Sequence, residues 1–271
     1  MKRIVLTGGG TAGHVTPNIA LAQKLKAEGY EISYIGSYSG IEKGLIEKIG
    51  IPYYGISSGK LRRYFDLRNF SDPFKVYKGY RESKKLMKEL NPDIVFSKGG
   101  FVAVPVVLAA HRKKIPVIIH ESDITPGLAN KICIPSADKV CCNFIDTMQY
   151  LPAGKAVLTG TPLRTELFAG TRQKGLEVCG FTDDKPVLLV VGGSTGAAAV
   201  NEAVRNLLPT LLKTYQVIHI CGKGKTDDRF DGTPGYRQFA YVNAEMGDFF
   251  AAADVVISRA GANAVSELLA L

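Results

Sequence analysis

No stretch of the 271 residues is long and apolar enough to cross a bilayer: the longest apolar run, FVAVPVVLAA (101–110), falls well short of a span. Met1 leads directly into a strand pattern with no secretory apolar core, so a chain on the cytosolic side is expected. Cysteine is sparse, five in all, an odd number without paired metal-type spacing. Cys141 and Cys142 are adjacent inside an apolar run, and the thiols are expected to be reduced and packed. Repeats and low-complexity tracts are missing, which leaves a folded chain with 46% hydrophobic and 22% charged residues.

Two nucleotide motifs are also incomplete. GKGKT (222–226) has a phosphate-loop tail, but His219 stands where its first glycine belongs, which excludes a Walker A loop. Gly8, Gly10 and Gly13 match G-x-G-x-x-G after a strand, yet the next strand, EISYIGS, carries its only acid, Glu31, at the wrong end to hold a ribose. A dinucleotide cofactor is therefore disfavoured.

The charge that is present is one-sided. The net charge is +9, and Lys60, Arg62, Arg63, Arg68, Lys75, Lys78, Arg81, Lys84, Lys85 and Lys88 face only Asp66, Asp72 and Glu82 across residues 60–88. Tyr64, Phe65, Phe70, Phe74, Tyr77 and Tyr80 interleave with these cations, a combination suited to an anionic membrane interface. A solvated face is the plain alternative. No nucleic-acid motif accompanies the patch, and no nucleic-acid partner is expected.

Short β-branched runs alternate with amphipathic stretches, which predicts parallel sheets with helices on both faces. The first series runs from RIVLTG through a helix at Pro17–Glu28 to KAVLTGTPLR (155–164). A second begins at PVLLVVGGSTG and includes YQVIHICG, QFAYV and ADVVISRAGANAVSELLAL. The expected organisation is α/β with two Rossmann-like domains, 1–160 and 161–271, their sheets facing a cleft. Leu271 stops inside an apolar pattern after about four strands of the second sheet, so that domain is expected to be truncated at its C-terminus.

Glycine-rich turns follow strands at TGGGTAGH (7–14), SKGGFVAVP (97–105), VGGSTGAAAVN (191–201) and SRAGANAVSE (258–267). Each offers main-chain amides at a helix N-terminus, where anions are favoured. One such turn is explained by tight packing; four together point to a substrate rich in phosphate and sugar oxygens.

GGGTAGHVTP, GGFVAVP, HESDITPGLANK, GTPLR, GGSTGA and SRAGANAVSE occur in an order and at spacings that closely resemble glycosyltransferase family 28. The resemblance is to its bacterial branch, which moves N-acetylglucosamine from a UDP donor to lipid-linked muramoyl-pentapeptide, converting lipid I to lipid II. It covers essentially the whole chain. It implies a GT-B fold, with lipid I on the first domain and UDP-N-acetylglucosamine mainly on the second. Inversion at the anomeric carbon is implied, with no cofactor and no metal, and the chain has no D-x-D triplet to seat a divalent ion. Peripheral attachment to the cytoplasmic face of the membrane, through residues 60–88, follows from the same resemblance. Rival readings are another GT-B transferase with a different acceptor or nucleotide sugar, and a non-catalytic nucleotide-binding or membrane-docking module.

His14, at the end of the first turn, is the candidate base for the acceptor hydroxyl, because imidazole has a suitable ordinary pKa. The resemblance assigns Thr11, Ala12 and Gly13 to the donor sugar, and Gly10, Gly13, Gly99 and Gly100 to the acceptor diphosphate, with Lys98 a cation beside them. Ala12 and Ala264 depart from the family's usual glycine and threonine. Asp123 stands where asparagine is common and offers only acceptors to the donor sugar. Arg164 and Ser194, the latter with neighbouring amides, are directed at the donor, and Arg164 has the planar fork suited to phosphate. Gly261, Ala262, Asn263 and Ala264 open the last helix. Glu267 is expected to accept from the ribose hydroxyls, and main chain near Val242 to meet the uracil. Glu121 and Asn130 are as well suited to fixing their loop as to touching substrate.

Overall fold

The structure is a computed structural model that describes residues 2–59, 72–193, 196–242 and 244–271. The chain forms two compact units, Met1–Leu163 and Arg164–Leu271. Ser194, Thr195 and the part of the basic segment from 60 to 71 lie outside the described residues.

The first unit alternates strands and helices in chain order: β1 (Arg3–Thr7), α1 (Ala12–Ala27), β2 (Glu31–Ser37), α2 (Ile41–Glu47), β3 (Tyr53–Ile56) and α3 (Asp72–Leu90). It continues with β4 (Ile94–Ser97), α4 (Ala103–Arg112), β5 (Val117–Glu121), α5 (Leu128–Cys133), β6 (Lys139–Cys142) and β7 (Ala156–Leu158). All pairings are parallel, in the order β3-β2-β1-β4-β5-β6-β7. Side chains alternate between two cores as a pleated strand requires. Val5, Ile35, Val95 and Ile119 pack with Met87 of α3 and Val106 of α4, while Ile4, Leu6, Tyr34 and Phe96 pack with Val15 of α1 and Ile46 of α2. Burial on both faces explains why these strands read as continuous apolar runs.

The second unit contains α6 (Arg172–Cys179), β8 (Val187–Val191), α7 (Ala198–Thr214), β9 (Gln216–Ile220), β10 (Tyr236–Phe239), α8 (Met246–Ala252), β11 (Val255–Ser258) and α9 (Ala262–Ala270). Its sheet is parallel, ordered β10-β9-β8-β11. Leu189 and Ile218 face Leu176 of α6 and Phe249 of α8; Val190 and Val217 face Val204 and Leu208 of α7. Four of the five thiols are buried and all five are free, with those of Cys133 and Cys179 pushed up to about 12 by burial.

In each sheet the strand order reverses beside the unit's first strand, between β1 and β4 and between β8 and β11. Crevices for ligands form at such switch points, outside the carboxyl ends of the strands. All four glycine turns lie at these ends.

Two expectations are corrected. α1 starts at Ala12, not Pro17: Thr11 is its extended N-cap and the His14 N–H closes a 3.2 Å turn onto the Thr11 carbonyl. Pro17 marks the second turn, so His14 sits within the helix and does not end the preceding turn. The strand expected over QFAYV begins earlier, at Tyr236, whose ring is buried against Val217 and Phe230.

Candidate active site

In the first unit the β1–α1 and β4–α4 turns touch. Gly100 has φ +85°, and a Cβ there would run into the Gly9 carbonyl, so only glycine allows both the conformation and the contact. His14 projects from the first turn of α1 with Nδ1 3.0 Å from the Lys98 carbonyl. A carbonyl only accepts, so Nδ1 carries the proton and Nε2 keeps its lone pair. Burial holds the His14 pKa below its ordinary 6.5; the Lys98 charge pushes it further down, against the Lys98 carbonyl and the charges of Glu121 and Asp123. A neutral imidazole with an unprotonated Nε2 is the form a general base requires.

The glycine amides are unequal. The Gly10 N–H donates to the Glu42 carboxylate at 3.3 Å, and the Gly99 N–H to Ser97 Oγ at 3.2 Å. Gly10 and Gly99, both expected at an acceptor diphosphate, thus donate to internal partners. Thr11 caps α1, and Ala12 and Gly13 form its first turn. Ala12 has no positive φ, so an alanine there is no strain on the backbone. Lys98, expected beside the diphosphate, is 1% exposed, and its ammonium turns inward to His120 and Ser122.

Glu121 organises the loop after β5. One carboxylate oxygen accepts from the Asp123 N–H at 2.9 Å, the other from Gly127 N–H at 3.0 Å and Asn130 Nδ2 at 2.8 Å. Both residues therefore fix the loop, while the Asp123 side chain stays exposed.

Glu42 had no signal in the sequence. It is fully buried and also accepts from the Ser37 N–H at 2.9 Å and the Ser37 hydroxyl. Cβ atoms on Gly9, Gly36 or Gly40 would collide with it, so these glycines make its room.

In the second unit Arg164 and Glu267 come together. Nε donates to Oε1 at 3.1 Å and Nη2 to Oε2 at 3.2 Å, the two-pronged match of guanidinium and carboxylate. Gly261 is the N-cap of α9, with Ala262, Asn263 and Ala264 in its first turn. Val242 follows β10 and packs on the core. Gly193 and Gly196 flank Ser194, and the Gly196 N–H closes a 2.9 Å turn onto the Gly193 carbonyl. His219, central in β9, is held between Asn201 and Tyr236 at 3.0 Å each and pushed down to about 4 by burial, which marks it as part of the core.

Comparison with known proteins gives the family. Residues 4–142 match the glycosyltransferase family 28 N-terminal domain and 187–271 its C-terminal domain. A protein of Lachnoclostridium phytofermentans, named UDP-N-acetylglucosamine--N-acetylmuramyl-(pentapeptide) pyrophosphoryl-undecaprenol N-acetylglucosamine transferase, is 73% identical over all 271 residues, which cover 76% of its length. A Clostridium botulinum protein of the same name is 60% identical over the same span and is covered to 77%. The crystal structure of Acinetobacter baumannii MurG aligns with TM-score 0.72 at 30% identity, over 99% of this chain and 76% of that one. The calicheamicin glycosyltransferase CalG4, at 14% identity and TM-score 0.66 over 100% and 78% of the two chains, shares the fold. The chain belongs to glycosyltransferase family 28, with the paired Rossmann-like units of a GT-B enzyme.

Proposed function

We propose that this protein transfers N-acetylglucosamine from UDP-N-acetylglucosamine to lipid I, forming lipid II. The observation that carries this reading is 73% identity, along every residue of the chain, to a transferase of that name. In the proposed reaction the first unit holds the acceptor and the second the donor. His14 Nε2 takes the proton of the acceptor sugar hydroxyl as its oxygen attacks the anomeric carbon. The bond from that carbon to the UDP oxygen breaks, and the configuration inverts. Negative charge gathers on the leaving diphosphate, where Arg164, the turn containing Ser194 and the N-terminus of α9 meet it electrostatically. Glu267 accepts from the ribose diol, Val242 main chain meets the uracil, and Thr11, Ala12, Gly13 and Asp123 line the donor sugar. The acceptor diphosphate is assigned to the two touching glycine turns, with Gly10 and Gly13 on one and Gly99 and Gly100 on the other.

Calorimetric titration tests the donor half. UDP is expected to bind at least about tenfold more tightly than ADP or GDP, about 1.4 kcal/mol of selectivity. Equal affinities would remove the donor assignment.

The proposed place of action is the cytoplasmic face of the membrane, by peripheral attachment. Among the described residues no helix is long and apolar enough to cross a membrane. What supports attachment is α3: Phe74 and Tyr77 are exposed, and Tyr77, Tyr80, Arg81, Lys84, Lys85 and Lys88 line a surface pocket with Lys113 of the α4 end. No acid lines it. Co-sedimentation with vesicles should rise with anionic lipid and fall with salt; indifference to both would overturn the attachment.

A further inference from the structure

We propose that Lys98 is a positioning residue for the transfer, setting two histidines in opposite tautomers, His14 through its main-chain carbonyl and His120 through its ammonium. The proposal rests on the reading of His14 as the base.

The geometry of His120 is decided by its two partners. Nε2 lies 2.8 Å from the Gly160 carbonyl, which only accepts, so Nε2 carries the proton. Nδ1 is then an acceptor, and Lys98 Nζ donates to it at 3.0 Å. A second Lys98 proton goes to Ser122 Oγ. The arrangement at His14 is the reverse, with Nδ1–H given to the Lys98 carbonyl and Nε2 left open. A single residue at the carboxyl end of β4 thus fixes both rings, and neither ring can turn over without losing a hydrogen bond to it.

The lysine is an expensive way to fill this space. Lys98 is 1% exposed and makes no salt bridge among the described residues. Burial pulls its pKa down to about 8, against the charges of Glu121 and Asp123. A methionine would occupy similar volume without that desolvation. What the methionine lacks is the donor for His120 and Ser122 and the positive charge near His14. The charged groups that act on His14 are Lys98 in the β4–α4 turn and Glu121 and Asp123 at the end of β5. Burial is the main cause that keeps the candidate base neutral; of these charges only that of Lys98 adds to it, while the Lys98 carbonyl holds the ring so that Nε2 stays open.

Two measurements test this on the full chain. The sequence has four histidines, which makes nitrogen-15 spectra of the ring nitrogens tractable. In the unaltered protein His14 should be protonated at Nδ1 and His120 at Nε2 when both are neutral; the opposite tautomer at either ring overturns the proposal. In Lys98→Met, His120 should lose its single tautomer and kcat should fall about tenfold or more, with KM for UDP-N-acetylglucosamine within about twofold. The acid limb of the kcat profile should move to higher pH, because a positive charge beside His14 has been removed. An unmoved limb with an unchanged His120 spectrum overturns the proposal, since a lysine that only fills space would leave both alone. If Lys98→Met does not fold, the spectra of the unaltered protein still decide. Failure of the base reading shows separately, as retained turnover on replacing His14.

Discussion

His14→Gln should lower kcat by about 10²–10⁴-fold, the usual contribution of a positioned general base, while UDP affinity stays unchanged. Glutamine is the informative replacement because its amide can still donate to the Lys98 carbonyl, as His14 Nδ1–H does, yet it offers no basic nitrogen. The loss then reports on proton transfer and not on a collapsed turn. The pH dependence has a definite sign. The His14 pKa is held below 6.5, so the imidazole is neutral at pH 7, and kcat should fall only as pH drops through that lowered value. In His14→Gln this acid limb should vanish. Steady-state rates between pH 5 and 8 check both points, and near-normal turnover would reject His14 as the base.

Glu42→Ala should cost the first unit about 3 kcal/mol or more, because three donors lose their acceptor at once. The Gly10 N–H, the Ser37 N–H and the Ser37 hydroxyl all converge on this buried carboxylate, and a hydrogen bond to a charged group contributes about 1.5–3 kcal/mol. Burying an anion is itself costly. Here the cost is offset by those three charge-assisted bonds and by the position of Glu42 in the first turn of α2, where the helix favours negative charge. Removing the carboxylate forfeits all three bonds at once and leaves its buried site unfilled. For a unit of this size the midpoint of thermal unfolding should drop by roughly 6–12 °C. A midpoint within about 1 °C of the parent would show that the carboxylate stabilises nothing.

The strands were legible where the sheet buries them on both faces. RIVLT, IVFS, VIIHE and VLLVV read as strands because a parallel sheet covered by helices demands unbroken apolar runs. β3, the YYGI edge strand, has neither the run nor a clean alternation and was not anticipated. The short helices α5, α6 and α8 were missed for the related reason that six to eight residues hold too few turns for a period to show. Pro17 misplaced the start of α1 because proline usually occupies the first helical position, whereas here the first turn is closed by the His14 N–H instead.

At the site, the glycine turns and His14 were within reach of motif spacing, and Arg164 and Glu267 came from the family resemblance, but their direct pairing appears only in the structure. Glu42 was within reach of neither, since its partners come from two other segments and nothing in IEKGLIE sets one glutamate apart from the next. Lys98 was visible as a cation near a glycine turn, but its direction was not. The sequence places the residue, and only packing against His120 and Ser122 turns the ammonium inward.

The carboxylate at the first glycine turn makes that turn self-contained. In a nucleotide-binding lobe the amide after the first strand is satisfied by a phosphate that arrives from solution. In this chain the Gly10 amide is satisfied by a side chain thirty-two residues further along, so the turn is already ligated when the unit folds. Its shape owes nothing to a visiting nucleotide. The first lobe is a Rossmann-like scaffold that carries its own tethered counter-anion.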